Sequence, residues 1–339
     1  MADAQAINGN LTALMRLLRG GTPGGLSGLG SLLLGLVVVC SVAVPDFASA
    51  GTLQSIMFQM PELGLLSLAM MVPLVSGGLN LAIIATANQA ALLMAWLMKS
   101  MLVPGAPGGE VALVILAAMA VGLVLCIAWG ILTGAIVAYT GVHPILVTLG
   151  TKSLIDGISI YLTRGTVISG LPEQYSAAGN AVVLGIPVPF MVLVVAAVLV
   201  GLLLRRTGFG VATFMVGSNI EATRYSAIDT RRVLVGVYLA SSVLCFVAAA
   251  LMLARFNSAS ADYAQSYLLV TILAAVLGGV DPFGGFGKVA GLILSLAVLQ
   301  VLASASNLLG VSDYLKLSVW GFVLIGVMAV QTIRAHVRR

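Results

Sequence analysis

Charge is what this sequence most lacks. Of its 339 residues only 8% are Asp, Glu, Lys or Arg, against about a quarter in soluble domains. Hydrophobic residues make up 60% and the mean hydropathy is +1.14, a balance that excludes an ordinary soluble domain. Alternation of apolar and polar residues is also missing, which excludes a transmembrane β-barrel. The apolar runs are instead continuous, and they reach the roughly 17 to 25 residues that a helix needs to cross about 30 Å of hydrocarbon. The two histidines, His143 and His336, stand apart from each other and from any cysteine, so no metal site is expected. Cys40, Cys126 and Cys245 lie inside apolar runs without paired spacing and read as small core residues. With no nucleophile elbow, no paired carboxylates in a plausible cleft and no His placed to serve a Ser or Cys, an enzyme is not expected either. The net charge of +5 reports loop placement, not a nucleic-acid partner.

What is present is a string of spans. Hydropathy predicts an all-α polytopic membrane protein with about ten transmembrane helices, near 29–46, 60–76, 79–98, 111–139, 144–163, 187–204, 232–254, 266–280, 287–306 and 315–333. The run at 144–163 is open between a full span and a half-helix, because Lys152 and Asp156 interrupt it. The chain divides into a lead over 1–28, a transmembrane domain over 29–333 with a loop at 205–231, and a tail over 334–339. The early stretch with Arg16, Arg19 and "SLLLGLVVVCSVAV" imitates a signal peptide and reads as an uncleaved signal-anchor. Ten spans with the N-terminus inside put Arg205, Arg206, Arg224, Arg231, Arg232 and Lys288 on the inner side with the basic terminal residues. Only Lys99, Arg164, Arg255 and Lys316 then fall outside. The positive-inside rule therefore predicts both termini and the 205–231 loop to be cytoplasmic.

That loop concentrates the charge. In "RRTGFGVATFMVGSNIEATRYSAIDTRR", residues 205–232, Ser218 and Glu221 have the spacing of a capping box, which predicts a short helix over about 219–227. Asp229 or Thr230 is then placed to cap the next span. Phe214, Ile220, Tyr225 and Ile228 would give this piece exposed apolar surface for a docking partner; the plainer alternative is a basic loop anchored to lipid headgroups. "GGVDPFGGFGKVAG", residues 278–291, fails as a phosphate-binding loop, because Pro282 and Val289 stand where it needs Gly and Ser or Thr. It reads as a tight Gly-rich turn, so the chain supplies no ATP hydrolysis of its own.

Polar residues inside the spans are the remaining signal, since each needs a partner or a watery path. Asn80 and Asn88 fall at a helix start and in its first turns. Lys152 and Asp156, four apart, share a helical face near mid-depth and are the only candidate charge network in the membrane. Interhelical packing is the alternative for each of them. A stand-alone ion-coupled carrier built on Lys152 and Asp156 is the competing class.

The residues as a set carry a resemblance. "TGFGVATFMVGSNIEATRYSAIDTRRVLVGVY" resembles the cytoplasmic signature of ribose-type, carbohydrate-uptake permease subunits of bacterial ABC importers, while "HPILVTLGT", "LAAVLGGVDPFGGFGKVAG", "NLLGVSDYLKLSVWGFVLIGVMAV" and "VSGGLNLA" resemble further segments of that family in order. The sequence departs from the pattern at Asn80, where Asp is usual, at Val211 in place of Arg, and at Ala227 in place of Gly. The resemblance implies a permease in the bacterial inner membrane that works as a homodimer with a second permease copy. Its partners would be a cytoplasmic ABC ATPase and a periplasmic sugar-binding protein. It further implies a coupling helix comprising Gly217, Ser218, Asn219, Glu221, Ala222 and Arg224, while the buried polar residues Asn80, Asn88, Lys152 and Asp156 are expected near a translocation path. The cargo would be a small sugar or polyol, a nucleoside or branched-chain amino acid being the alternatives. No cofactor would be bound by this chain, ATP and Mg2+ residing on the ATPase.

Overall fold

A computed structural model describes residues 26–102, 107–312, 314–322 and 325. Helices dominate because in hydrocarbon every backbone N–H and C=O must be satisfied within its own segment. In chain order they are α1 (Leu26–Ala43), α2 (Ala50–Val75), α3 (Ile83–Met101), α4 (Gly108–Thr140), α5 (Pro144–Thr163), α6 (Glu173–Asn180), α7 (Val188–Arg206), α8 (Gly208–Ser218), α9 (Ile220–Tyr225), α10 (Thr230–Phe256), α11 (Tyr267–Leu277) and α12 (Val289–Leu308). Residues 314–322 are also helical. Among the described residues four two-residue strands, β1 (Ile168–Ser169), β2 (Val182–Val183), β3 (Ile186–Pro187) and β4 (Ser258–Ala259), form two antiparallel ladders, β1 with β4 and β2 with β3.

Among the described residues seven helices are long and apolar enough to cross a membrane, so this is a multi-pass membrane protein. The ten expected spans are met in part. α11 has 11 residues, about 16 Å at 1.5 Å per residue, half of what a crossing needs. The turn-rich residues 260–266 lead into it. Pro144–Thr163 is one continuous helix of 20 residues, which decides for the full-length alternative. The expected span at 315–333 is helical over 315–322 and otherwise lies almost wholly outside the described residues, as do most of the 1–28 lead and the 334–339 tail.

α2 is the central helix: 89% of its most apolar window is buried, against 11% for α1 at the periphery. α10 packs along α4, α2 and α3. Its approach to α4 is close enough to need glycine, since a Cβ on Gly130 would stand 2.9 Å from the Leu239 Cα and one on Gly134 2.8 Å from the Val235 Cα. Such backbone proximity is how helices associate where lipid removes the hydrophobic drive. Cys40, Cys126 and Cys245 are free and buried.

The two ends of the bundle differ. At one end α3 and the 164–187 connection are tied to the exit of α10: Lys99 Nζ donates to the Ser169 carbonyl at 3.1 Å, and Leu171 N donates to Asn257 Oδ1 at 2.9 Å. The Tyr175 hydroxyl of α6 donates to the Ala250 carbonyl at 2.8 Å, and burial pushes that phenol above its usual pKa. At the opposite end, the segments 76–82, 207–229 and 278–288 converge.

Candidate coupling and translocation site

The charged loop contains more helix than the sequence suggested. Thr207 caps α8 by accepting from Gly210 N at 3.1 Å, and α8 then runs to Ser218. Ser218 is thus the end of one helix and not the cap of the next, which corrects the capping-box expectation. Asn219, extended at φ −163 and ψ 109, is the N-cap of α9, and its Oδ1 accepts from Ala222 N at 3.0 Å. Asn serves as well as Ser at that position, and the helical backbone at Ser218 leaves the break one residue later. Glu221, released from any capping role, pairs with Arg224 at 2.9 Å, and Arg224 Nε donates to Thr230 Oγ1 at 3.3 Å. Asp229 caps α10 as expected, accepting from Arg231 N and Arg232 N at 3.1 and 3.2 Å.

The apolar surface expected here is mostly absent. Phe214, Ile220 and Ile228 pack against the hydrophobic core, and Tyr225 alone of the four projects, 91% exposed. α9 therefore presents Tyr225, Glu221 and Arg224 outward while Thr223, 1% exposed, holds its inner face. Beside it a cleft of about 660 Å³ opens between α8, α9 and Lys288, with Arg205, Met215, Asn219 and Ser226 on its walls. Ala227 sits at φ +59, in the left-handed region, where the glycine usual in the resembling family would sit without steric cost.

Sequence reasoning missed what lies beneath α9. The Gly-rich turn at 278–288, α8 and the end of α2 form one junction. Gly285 N donates to the Val75 carbonyl at 2.8 Å. A Cβ on Gly217 would lie 2.0 Å from that same carbonyl oxygen and 2.6 Å from Gly285 N, and one on Gly284 would lie 2.6 Å from Gly77 N. Gly77, Gly284 and Gly285 have φ of +81, +95 and +83, so both turns need glycine for conformation as well as for contact. Each glycine motif was legible, but their meeting was not, because 68 residues separate Gly217 from Gly285 in the chain.

From this junction the chain enters the bundle without helix over residues 78–82 before α3 begins at Ile83, so Asn80 lies in the break itself and not on a helix. Asn80 is 3% exposed. Its Nδ2 donates to Ser241 Oγ at 2.9 Å, Ser241 donates on to the Ala69 carbonyl at 2.7 Å, and its Oδ1 accepts from Ala82 N at 3.1 Å. Thr148 Oγ1 reaches the Leu79 carbonyl at 3.1 Å, and the Tyr238 hydroxyl lies buried without a partner among the described residues, 2.8 Å from where a Gly78 Cβ would stand. Asn88 donates both amide hydrogens, to the Ala261 and Tyr263 carbonyls, each at 2.8 Å. It therefore holds the segment before α11 and has no free donor for a solute.

Lys152 and Asp156 form an ion pair at 2.7 Å with side chains 24% and 20% exposed. They are not the only charge pair within the bundle. Glu62 of α2 pairs with Arg255 of α10, side chains 4% and 15% exposed, a contact across 193 residues that no local spacing announces. Arg255 also stands 5.7 Å above the Phe58 ring, and its Nε is buried without a partner among the described residues.

Comparison with known proteins fits this geometry. A family model described as branched-chain amino acid transport system / permease component matches residues 52–328. The chain is 31% identical to the ribose import permease protein of Bacillus subtilis over 292 residues, 86% of this chain and 87% of that one. It is 29% identical to the autoinducer 2 import system permease protein of Yersinia enterocolitica over 280 residues, 81% of each chain. To the corresponding Photorhabdus temperata protein it is 28% identical over the same length and shares. No solved structure matches it. The family match covers α2 to α12, and so the whole of the junction, the broken segment and the short helices α8 and α9; the chain belongs to the permease-component family of ABC importers.

Proposed function

We propose that this chain is the membrane subunit of an ATP-driven importer for a monosaccharide or a related small polyhydroxylated solute, delivered by a periplasmic binding protein and driven by a separate cytoplasmic ABC ATPase. The observation that carries the reading is the position of α9. It presents Tyr225, Glu221 and Arg224 outward, and at its root Gly217 is seated on the Val75 carbonyl at the head of the 76–82 break. A partner gripping α9 thereby grips the point at which the path is interrupted. The cleft beside it, with Arg205 and Lys288 on its walls, is the basic surface against which an acidic edge of the ATPase packs.

The sugar class rests on relatives, whose names specify ribose and autoinducer 2. The description of the family model names branched-chain amino acids, and that is the second reading of the cargo. In this reading 76–82, α8 to α9 and 278–288 face the cytoplasm, which the basic residues of those segments support, and the permease works as a homodimer in the bacterial inner membrane. Asn80 acts in the path by holding the break, while Lys152 and Asp156 lie half-buried on α5.

The test is gentle solubilisation of the tagged chain from its native membrane, with mass spectrometry of what copurifies. An ABC ATPase should be recovered, and it should be lost when Glu221 and Arg224 are both changed to Ala. A chain that copurifies with no ATPase and moves solute down an ion gradient would overturn the assignment.

A further inference from the structure

At the end of the bundle away from the junction lies a cavity of about 690 Å³, within the roughly 300–1,000 Å³ usual for small-molecule sites. α2, α11 and α12 wall it together with the end of α10 and residues 316–320. Its polar lining joins the amides of Gln59, Gln300 and Asn307 to two charged groups, Glu62 and Lys316, and Lys316 Nζ donates to Asn307 Oδ1. Gln300 Nε2 donates to Gln59 Oε1 at 3.1 Å, which among the described residues leaves the Gln59 amide with two hydrogens to give and the Gln300 carbonyl free to accept. Glu62, also on the wall, has its charge answered by Arg255 through one oxygen, so the second oxygen accepts without bringing a net charge. Trp320, Tyr263 and Phe256 supply aromatic surface on the same cavity, and Tyr263 is held in place through its carbonyl by Asn88.

Paired donors and acceptors beside aromatic walls, with the carboxylate neutralised, match the chemistry of a neutral polyhydroxylated ring. Its vicinal hydroxyls both give and take hydrogen bonds, while its C–H faces are apolar. A purely apolar ligand would leave the amides unpaired.

We propose that this cavity is a binding site for the transported sugar or polyol on the outer side of the permease, with Gln59 and Gln300 reading adjacent hydroxyls against the Trp320 wall. The proposal rests on the importer reading above and adds to it the residues that discriminate the solute. The same hydroxyl chemistry could arrive on a glycerol-type lipid headgroup, so the test separates the two.

The permease is reconstituted in discs of phosphatidylcholine alone and titrated, by tryptophan emission, with aldopentoses, aldohexoses and pentitols in turn. In parallel the complete importer, with its ATPase and binding protein, is assayed for uptake of the same compounds. The expected result is a saturable emission change with the compound that is taken up. It should vanish in Trp320→Phe and need at least tenfold more ligand in Gln300→Ala. Ala303→Leu, which narrows the cavity without removing a polar group, should weaken binding and raise the KM for uptake. Uptake of a sugar without any Trp320-dependent change, or with a KM that neither variant alters, would overturn the site and leave the importer reading standing. A change produced only by adding phosphatidylglycerol to the discs, and indifferent to sugar, would assign the cavity to a lipid headgroup. Uptake of none of the compounds would remove the sugar reading itself and the site with it.

Discussion

Gly217→Ala is the sharpest probe of the junction. The residue is helical, near the end of α8, and its φ is not among the positive ones, so Ala is conformationally acceptable there and even gains up to about 1 kcal/mol of helix propensity. The contact decides otherwise. The added methyl would stand 2.0 Å from the Val75 carbonyl oxygen and 2.6 Å from Gly285 N, against a normal separation near 3.4 Å. Both atoms are backbone, so no side chain can swing aside; α8 must back away from α2 by more than an ångström. Overpacking of this kind costs about 1–3 kcal/mol, and losing the Gly285 to Val75 hydrogen bond adds about 0.5–1.5 kcal/mol. The net expectation is about 1–4 kcal/mol of destabilisation, felt most in coupling, because the displaced helix carries α9. Gly208→Ala in the same helix is the control, since nothing lies within 4 Å of its Cβ position. In reconstituted importer, Gly208→Ala should keep wild-type thermal stability and solute-stimulated ATPase activity, whereas Gly217→Ala should lose several degrees and most of the stimulation. Equal behaviour of the two variants would refute the account of the junction.

Other outcomes follow from the same geometry. Changing Glu221 and Arg224 together to Ala removes an exposed pair worth about 0–1 kcal/mol, so the melting temperature should stay within a degree or two while copurified ATPase falls at least several-fold. Removing one partner of the Glu62 and Arg255 pair should cost about 3–5 kcal/mol, because it leaves a buried charge unanswered, whereas Glu62→Leu with Arg255→Met should recover most of that; a double variant no better than Arg255→Met alone in thermal denaturation would show that the pair is not isolated. Ala227→Gly relieves a left-handed residue at φ +59. It should leave stability unchanged or raise it by up to about 1 kcal/mol, the steric gain being offset by unfolded-chain entropy, and a loss above 1 kcal/mol in denaturant would contradict that conformation.

Much of the fold was legible because the bilayer makes its demands locally. A continuous apolar run must be a helix, and the spans behind α1, α4, α5, α7, α10 and α12 were located to within a few residues of the observed helices. α2 was the exception, beginning at Ala50 where hydropathy suggested 60, because Gln54, Ser55 and Gln59 dilute its first turns. The short helices were misread for the opposite reason. α8 is apolar and capped, but it lies between Arg206 and Arg224, and the charges made the stretch look like loop throughout. Of the site, the local parts could be read: Asp229 as a cap, and Lys152 with Asp156 four residues apart. Contacts that depend on three-dimensional closure could not be read, the Glu62 to Arg255 pair and the meeting of Gly217 with Gly285 above all.

Those two unread contacts constrain how force can travel. α2 is held at Glu62 by Arg255 of α10 and, nearer its other end, through Ala69 by Ser241 of the same helix. Glu62 and Ala69 are 7 residues apart, about 10 Å along the axis, so α2 and α10 are pinned over the middle of α2 and resist sliding past one another. α8, by contrast, meets α2 through backbone alone at Gly217, with no side chain between them to deform. A displacement of α9 therefore cannot be absorbed locally. It must move the Val75 end of α2, and with it the 76–82 break and the Asn80 to Ser241 bond that closes it. The bistable element that switching requires is on this argument the break, with α2 and α10 as the rigid body against which it opens. Asn80→Ala, which removes that bond while leaving α9 and the junction untouched, should then raise basal ATPase activity without weakening ATPase docking; a variant with normal basal activity and full solute stimulation would place the switch elsewhere.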